Sequence, residues 1–399
     1  MSLTALITTV QDRHNDLSEE IIISLLDKIG NEEEFTIEIL TGVISPEEAS
    51  VFLEILIEEN VIAKKYRYEC EYENGEIETA SSKDEDCLYC NQEITSKSHI
   101  IKEVFFNNDS KIINKINDYI LLDLENYVDK PYLGNLKILK KKLDSTIPFL
   151  GSGISIPLGI PNWIGLIKQL EDGLVDEDLR QFNKYLDNGD VFNALDLLAK
   201  ESVTYNEESI KSFIKDYIDK NFITELADEY HNINDILNLN SDFYITTNYD
   251  SALNLYKDKY SSSPLVLSDL NDVHDFISEK SRRILHLHGI YDRKETMIVT
   301  NKDYKRIYED ESNKDKIKAL MSQKPFLFIG FSFTDKYFDD LYTNLHNNLG
   351  GEHFIILSNL HKHAASILQE KGLKPISVKV NGEQSIVLAI KKIINYLLR

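Results

Sequence analysis

The chain has 399 residues, 42% of them apolar, and a formal net charge of −23. That length favours two or three domains with ample core, and the negative charge argues against non-specific binding to nucleic-acid phosphates. Three cysteines are an odd number for a disulfide framework, no run approaches the ~18 apolar residues of a membrane helix, and the first twenty residues lack a basic segment leading into an apolar one. The expectation is a soluble, cytoplasmic protein that crosses no membrane.

Residues 18–30 carry apolar side chains at helical spacing and end in Gly30. The string Ser45-Pro46-Glu47-Glu48 reads as a helix start, with an N-cap, a proline at the first helical position and a capping-box glutamate. A helix over 45–60 would then turn Ala49, Val51, Phe52, Ile55 and Leu56 inward. Residues 64–79 alternate around Asn74-Gly75, a two-residue hairpin signal. Helices followed by a hairpin match a winged helix or, equally, a generic small α+β adaptor. Glu69, Glu71, Glu73, Glu76 and Glu78 weigh against direct nucleic-acid binding there.

Cys87-x-x-Cys90 has the spacing of a metal knuckle, and Cys70 and His99 would complete a four-ligand structural zinc site. The alternative is three thiols without metal, because Glu73 stands where a second Cys-x-x-Cys would place its ligand. A helical connector over 110–145, with Lys130-Pro131 and a basic stretch, puts a boundary near 130–145. The domains expected are therefore an N-terminal adaptor over 1–135 and a second domain over 140–399.

From residue 146 short apolar strands (146–150, 243–246, 283–286, 325–329, 353–357 and 376–380) alternate with longer amphipathic segments. This pattern predicts an α/β domain with a Rossmann-like parallel sheet and helices on both faces. The stretch over 162–240 is too long for one crossover helix and reads as a helical insertion suited to capping a cleft.

Chemistry-bearing residues stand at the strand ends. Gly151-Ser152-Gly153 follows the first strand, where glycines let backbone N–H groups approach a pyrophosphate near a helix N-terminus. The string is not G-x-G-x-x-G, which lowers the case for an ordinary dehydrogenase. Pro157, Gly159, Pro161 and Trp163 form a turn-rich segment suited to closing over a nucleotide. Later strands end in Thr246-Thr247-Asn248-Tyr249-Asp250, Leu287-His288-Gly289 and Gly330-Phe331-Ser332.

In this order the four strings resemble the NAD-binding and catalytic elements of sirtuins, the Sir2 family, over residues 146–399. They are most similar to bacterial sirtuin-like effectors that destroy NAD+ in antiphage abortive infection. The resemblance implies that Gly151, Ser152 and Gly153 hold the pyrophosphate and that Ser332, beside Gly330, contacts the nucleotide. Ser155 and Thr247 belong to the same nucleotide-binding strings. Asn248 would orient water or the nicotinamide ribose, Asp250 would support the nicotinamide end, and His288 would act as base. His286 competes for that role, since strand alternation puts both rings on one face, but His288 directly precedes the glycine, as the family pattern requires.

The implied activity is an NAD+ glycohydrolase with NAD+ as substrate, acting as a homo-oligomer or with a defence partner such as a HerA-type ATPase. Nicotinamide leaves neutral through an oxocarbenium-like state, so no strong general acid is needed. Sirtuin deacylases carry a four-cysteine zinc module after the catalytic histidine, yet no cysteine lies between Gly289 and Gly330. That counts against an NAD-dependent protein deacylase. The alternatives are that deacylase, an ADP-ribosyltransferase, or a non-catalytic module that senses NAD or ADP-ribose.

Overall fold

The computed structural model describes residues 2–72, 76–256, 263–280, 282–321, 324–332, 342–343 and 352–399. The chain divides into two compact units, Met1–Asp123 and Leu124–Arg399. This division falls ahead of 130–145 because the intervening residues are bonded to the last strand of the second unit. Val128 bridges Val378, the Asn135 amide donates to the Pro375 carbonyl at 2.8 Å, and the Ser377 hydroxyl donates to the Asp129 carboxylate at 2.5 Å.

The first unit runs α1 (Leu3–Arg13), α2 (Glu19–Gly30), β1 (Glu34–Phe35), α3 (Glu38–Thr41), α4 (Pro46–Glu58), β2 (Ile62–Cys70), β3 (Ile77–Ala80), β4 (His99–Asn107) and α5 (Ile112–Leu124). Ser45 and Glu48 close the expected capping box: each side chain accepts the other's backbone N–H. Ala49, Phe52, Ile55 and Leu56 are buried, together with Leu53, but Val51 is 39% exposed because its position falls off that stripe. The sheet is antiparallel in the order β1-β4-β2-β3. β2 and β3 form the expected hairpin, with Glu69 opposite Ile77; Glu73, Asn74 and Gly75 lie outside the described residues.

Among the described residues, the second unit holds a seven-stranded, all-parallel sheet in the order β11-β10-β9-β5-β6-β8-β7. Its strands are β5 (Ile147–Leu150), β6 (Phe243–Thr246), β7 (Leu265–Val266), β8 (Arg283–His286), β9 (Phe326–Ile329), β10 (His353–Ser358) and β11 (Leu373–Val378). β5, β6 and β9 are buried along their whole length, as strands covered on both faces must be. The last strand begins at Leu373 rather than at 376, and β7, a two-residue edge strand, is too short to carry a sequence signal.

The 162–240 stretch is helical: α7 (Trp163–Lys168), α8 (Asp176–Asp187), α9 (Val191–Glu201), α10 (Glu207–Asn221) and α11 (Ile233–Asn238). Phe182, Leu195, Ile214 and Ile218 give it a core of its own, shared with Tyr249 and Met297. Among the described residues the remaining helices are α12 (Ala252–Leu255), α13 (Val273–Ser278), α14 (Asn301–Tyr308), α15 (Glu311–Met321), α16 (Lys362–Glu370) and α17 (Glu383–Leu398). The strand order reverses at β5, with β6 on one side and β9 on the other. The crevice outside the carboxyl ends at such a reversal is where open α/β sheets bind ligands. Among the described residues, no helix is long and apolar enough to cross a membrane.

Candidate active site

Two glycine loops meet at the reversal. Gly151 and Gly153 follow β5, and Gly330 follows β9 with φ +81°. A Cβ on Gly151 would stand 2.7 Å from the Gly330 carbonyl oxygen, and one on Gly330 would stand 2.8 Å from the Gly151 oxygen. The glycines therefore allow two backbones to touch. Their amides are also committed: Gly151 N–H donates to Ile329 (2.8 Å) and Gly153 N–H to Gly330 (2.9 Å). This corrects the expectation that these two N–H groups face a pyrophosphate. The loop continues as 3-10 turns over Ser152–Ile154 and Ile156–Leu158, and α7 starts only at Trp163, capped by the Asn162 side chain.

Beside these loops, the turn after β6 carries a fixed amide. Asn248 Nδ2 donates to the Gly151 carbonyl (3.2 Å) and to the Ser155 hydroxyl (3.0 Å), which settles which end of the amide is nitrogen. Its Oδ1, on the other side of the amide, is buried without a partner among the described residues. An orphaned buried acceptor costs about 1–3 kcal/mol, so this atom is suited to a donor that arrives with a ligand. Ser155, fully buried, also hydrogen-bonds Asp250. Burial raises the Asp250 pKa, against the lowering pull of the Ala252 amide and Ser155. One serine hydroxyl thus positions both candidate polar groups of the β6 turn.

The two histidines have different surroundings. His286 is wholly buried; its Nδ1 donates to the Asn248 carbonyl at 3.0 Å, and its Nε2 lies 2.9 Å from the Asn254 side-chain amide. A neutral ring leaves Nε2 as acceptor, which is satisfied by turning toward it the Asn254 nitrogen, unpartnered among the described residues. Burial pushes the His286 pKa down to about 4. His286 thus braces the β6 turn, whereas His288 lines a cavity with Asn248 and Asp250.

Gly289, with φ +81°, follows His288; a Cβ there would lie 2.2 Å from the Thr296 oxygen. His288 is 3% exposed, and burial pushes its pKa down to about 3. Its Nε2 stands 2.6 Å from the hydroxyl of Tyr308, the last residue of α14.

Sequence reasoning missed Tyr308. The available signal was the capping box Thr300-x-x-Asp303, which starts a helix with Tyr304 and Tyr308 one turn apart. The structure also gives the 298–304 segment a physical role. Ile298 N–H donates to the His288 carbonyl at 3.0 Å, and Asp303 accepts from the Val299 and Thr300 amides and from Lys211 of α10 at 2.8 Å. Burial raises the Asp303 pKa, but Lys211 and those amides outweigh it, so the group is held below the usual carboxylate range.

Two cavities open on this crevice. One, of about 60 Å³, is lined by Ser152, Thr247, Asn248, Asp250, His288 and Gly330, with Phe192 and Ile218 of the helical insertion closing over it. The other, of about 270 Å³, runs past Ser152, Gly153, Gly330 and Ser332 to Ser358 of β10 and Glu383 of α17, between largely apolar walls. Trp163 lines both and packs edge-on against Tyr249, with centroids 5.4 Å apart. The ten residues singled out in the sequence fall together here, although Gly151 and Ser155 act from behind the cavity walls.

In the first unit, Cys70, Cys87, Cys90 and His99 present ligand atoms that all lie within 4.8 Å of one another. Cys70 and His99 are opposite residues of β2 and β4. The Cys87–Cys90 turn folds back so that Cys87 N–H donates to Gln92 and Tyr89 N–H donates to the Cys87 sulfur. His99 Nδ1 is 2.8 Å from the Ser96 hydroxyl, which turns Nε2 toward Cys90 Sγ at 3.3 Å.

Residues 242–376 match the family model of the SIR2-like domain. The chain is 26% identical over 194 residues to the NAD(+) hydrolase ThsA of Cytobacillus dafuensis, covering 48% of this chain and 36% of that protein. It is 26% identical over 238 residues to the NAD(+) hydrolase ThsA of Enterococcus faecium, covering 57% and 45%. The chain spans less than half the length of these curated relatives. The stretch that matches the SIR2-like model, residues 242–376, lies within the second unit and its Rossmann-like parallel sheet.

Proposed function

We propose that this SIR2-like unit is an NAD+ glycohydrolase that cleaves NAD+ to nicotinamide and ADP-ribose, depleting cytoplasmic NAD+ in antiphage abortive infection. The observation that carries the reading is the Asn248 Oδ1 left without a partner among the described residues, on a side chain that lines one cavity with His288 at the strand-order reversal, with a second cavity of about 270 Å³ sharing Ser152 and Gly330 with it. The two relatives named NAD(+) hydrolase support it.

In this reading the larger cavity takes the adenosine end, Ser152 and Ser332 flank the diphosphate, and the nicotinamide riboside enters the smaller cavity. The C1′–N bond breaks with its electron pair going to the pyridinium nitrogen, so nicotinamide departs neutral. Water held by Asn248 Oδ1 adds to C1′, and its surplus proton passes through His288 to solvent. Asp250, braced by Ser155, faces the nicotinamide end. Such an enzyme is toxic unless restrained, and the restraint we propose is homo-oligomeric assembly or a partner such as a HerA-type ATPase.

The test is NAD+ consumption by the full chain with products resolved by chromatography. Nicotinamide and ADP-ribose are expected, lowered more than about hundredfold by His288→Ala, in line with the loss of a general base. Acyl-ADP-ribose or ADP-ribosylated protein would replace this reading with a deacylase or a transferase. ADP-ribose binding without turnover would make the unit a sensor.

We further propose that the first unit holds one structural zinc through Cys70, Cys87, Cys90 and His99. A Zn–S bond of about 2.3 Å sets tetrahedral edges of about 3.8 Å, within reach of the observed cluster. The Ser96 contact on His99 supplies the outer hydrogen bond that such a ligand normally makes.

A further inference from the structure

His288 is needed as a proton acceptor, yet the structure shows its Nε2 engaged by a neighbour. A neutral imidazole has one acceptor lone pair. The Tyr308 phenol is protonated, since burial drives its pKa well above 10. A phenol is a far better donor than acceptor, so the 2.6 Å contact runs from the Tyr308 hydroxyl to Nε2. In this state the lone pair that would serve a ribose hydroxyl or water is spent on a side chain. The ring is also wedged: Tyr308 meets His288 edge-on at 5.9 Å and packs at a tilt of 31° against Tyr304 at 4.4 Å.

The helix that delivers Tyr308 is moored to the helical insertion. Lys211 of α10 reaches Asp303 at 2.8 Å with both side chains about 10% exposed, Asp196 of α9 accepts from Asn301 at 2.5 Å, and Glu207 of α10 pairs with Lys302 at 3.2 Å. The first of these is nearly desolvated and therefore costly to break, whereas the last is exposed and weak. The same insertion places Phe192 and Ile218 on the wall of the small cavity. Insertion and α14 are thus mechanically linked, and both touch the catalytic end of the site.

We propose that Tyr308 is an autoinhibitory hydroxyl: it occupies the acceptor position of His288 in place of substrate, and the site becomes competent when the helical insertion and α14 move and withdraw it. The inference rests on the NAD+ reading of the site. It makes the insertion the handle through which assembly or a partner switches the enzyme.

The experiment compares ADP and ADP-ribose by calorimetry on the full chain, its Tyr308→Phe variant and its Tyr308→Ala variant, alongside NAD+ cleavage. ADP reaches the glycine loops and the larger cavity but lacks the ribose that meets His288. ADP is expected to bind all three proteins alike. ADP-ribose is expected to bind about threefold tighter to Tyr308→Phe and about tenfold tighter to Tyr308→Ala, the worth of one displaced hydrogen bond, with cleavage rising in the same order.

Equal ADP-ribose affinity across the three, or slower cleavage by Tyr308→Phe, would overturn the proposal; the latter would make Tyr308 a group that serves His288. Should the alanine variant unfold, the phenylalanine variant decides alone. Failure of all three to bind ADP would overturn the nucleotide reading itself, and this inference with it.

Discussion

The two units bury different things. In the first, His99 is the one buried polar or charged residue among those described, and it belongs to the Cys/His cluster. In the second, nine of the fifteen buried polar or charged residues among those described, Ser155, Lys211, Thr246, Asn248, Asp250, His286, His288, Thr300 and Asp303, gather around the carboxyl ends of β5, β6 and β8 or on the segment packed against them, while Thr146, His231, Asn232, Ser241, His353 and Ser377 are buried elsewhere in the unit. Buried polar groups are expensive unless satisfied. In the first unit that expense is confined to one cluster with metal-ligand geometry; in the second it is concentrated where a nucleotide would bind. A fold needs neither for its core, so each concentration marks a site.

The comparison can be broken most forcefully from the metal side. Zinc is expected at one equivalent per chain, and removing it with a chelator or by Cys87→Ser should cost the first unit several kcal/mol, since structural zinc contributes folding energy directly. Metal analysis with thermal unfolding checks this, and ADP binding by the second unit should be unchanged.

Next comes acid. Folded His286 has its pKa lowered from 6.5 to about 4 and His288 from 6.5 to about 3, so the unfolded chain binds protons first as pH falls. Stability should be full above pH 6.5 and decline from there to about pH 3, with His286 alone contributing on the order of 3 kcal/mol of the loss by pH 4. Melting curves at pH 7 and 4.5 should show this decline, and it should flatten in His286→Gln. The smallest effect is expected from Ser155→Ala. Loss of one hydroxyl that orients the Asn248 amide should reduce NAD+ cleavage about tenfold, with the fall in kcat rather than KM.

Much of the second unit was legible because four-residue strands buried on both faces write themselves as uninterrupted apolar runs, as Phe243–Thr246 and Phe326–Ile329 do. The site was legible because its residues sit at the ends of those runs. Less visible was how they act. The glycines at 151 and 153 read as phosphate-facing amides, but their N–H groups complete the contact between two loops. Ser155 read as one more loop residue, although it is the node that fixes Asn248 and contacts Asp250. Tyr308 could not be read at all, because its role depends on a helix that folds back over a histidine twenty positions earlier.

The most direct single measurement is NAD+ cleavage in ¹⁸O-labelled water by the full chain, Tyr308→Ala and Asn248→Ala, with ADP-ribose analysed by mass spectrometry. One labelled oxygen in the ADP-ribose of the parent, more product from Tyr308→Ala and almost none from Asn248→Ala is the result this structure predicts. NAD+ left intact by both the parent and Tyr308→Ala, or labelled product formed equally well without the Asn248 amide, would contradict it.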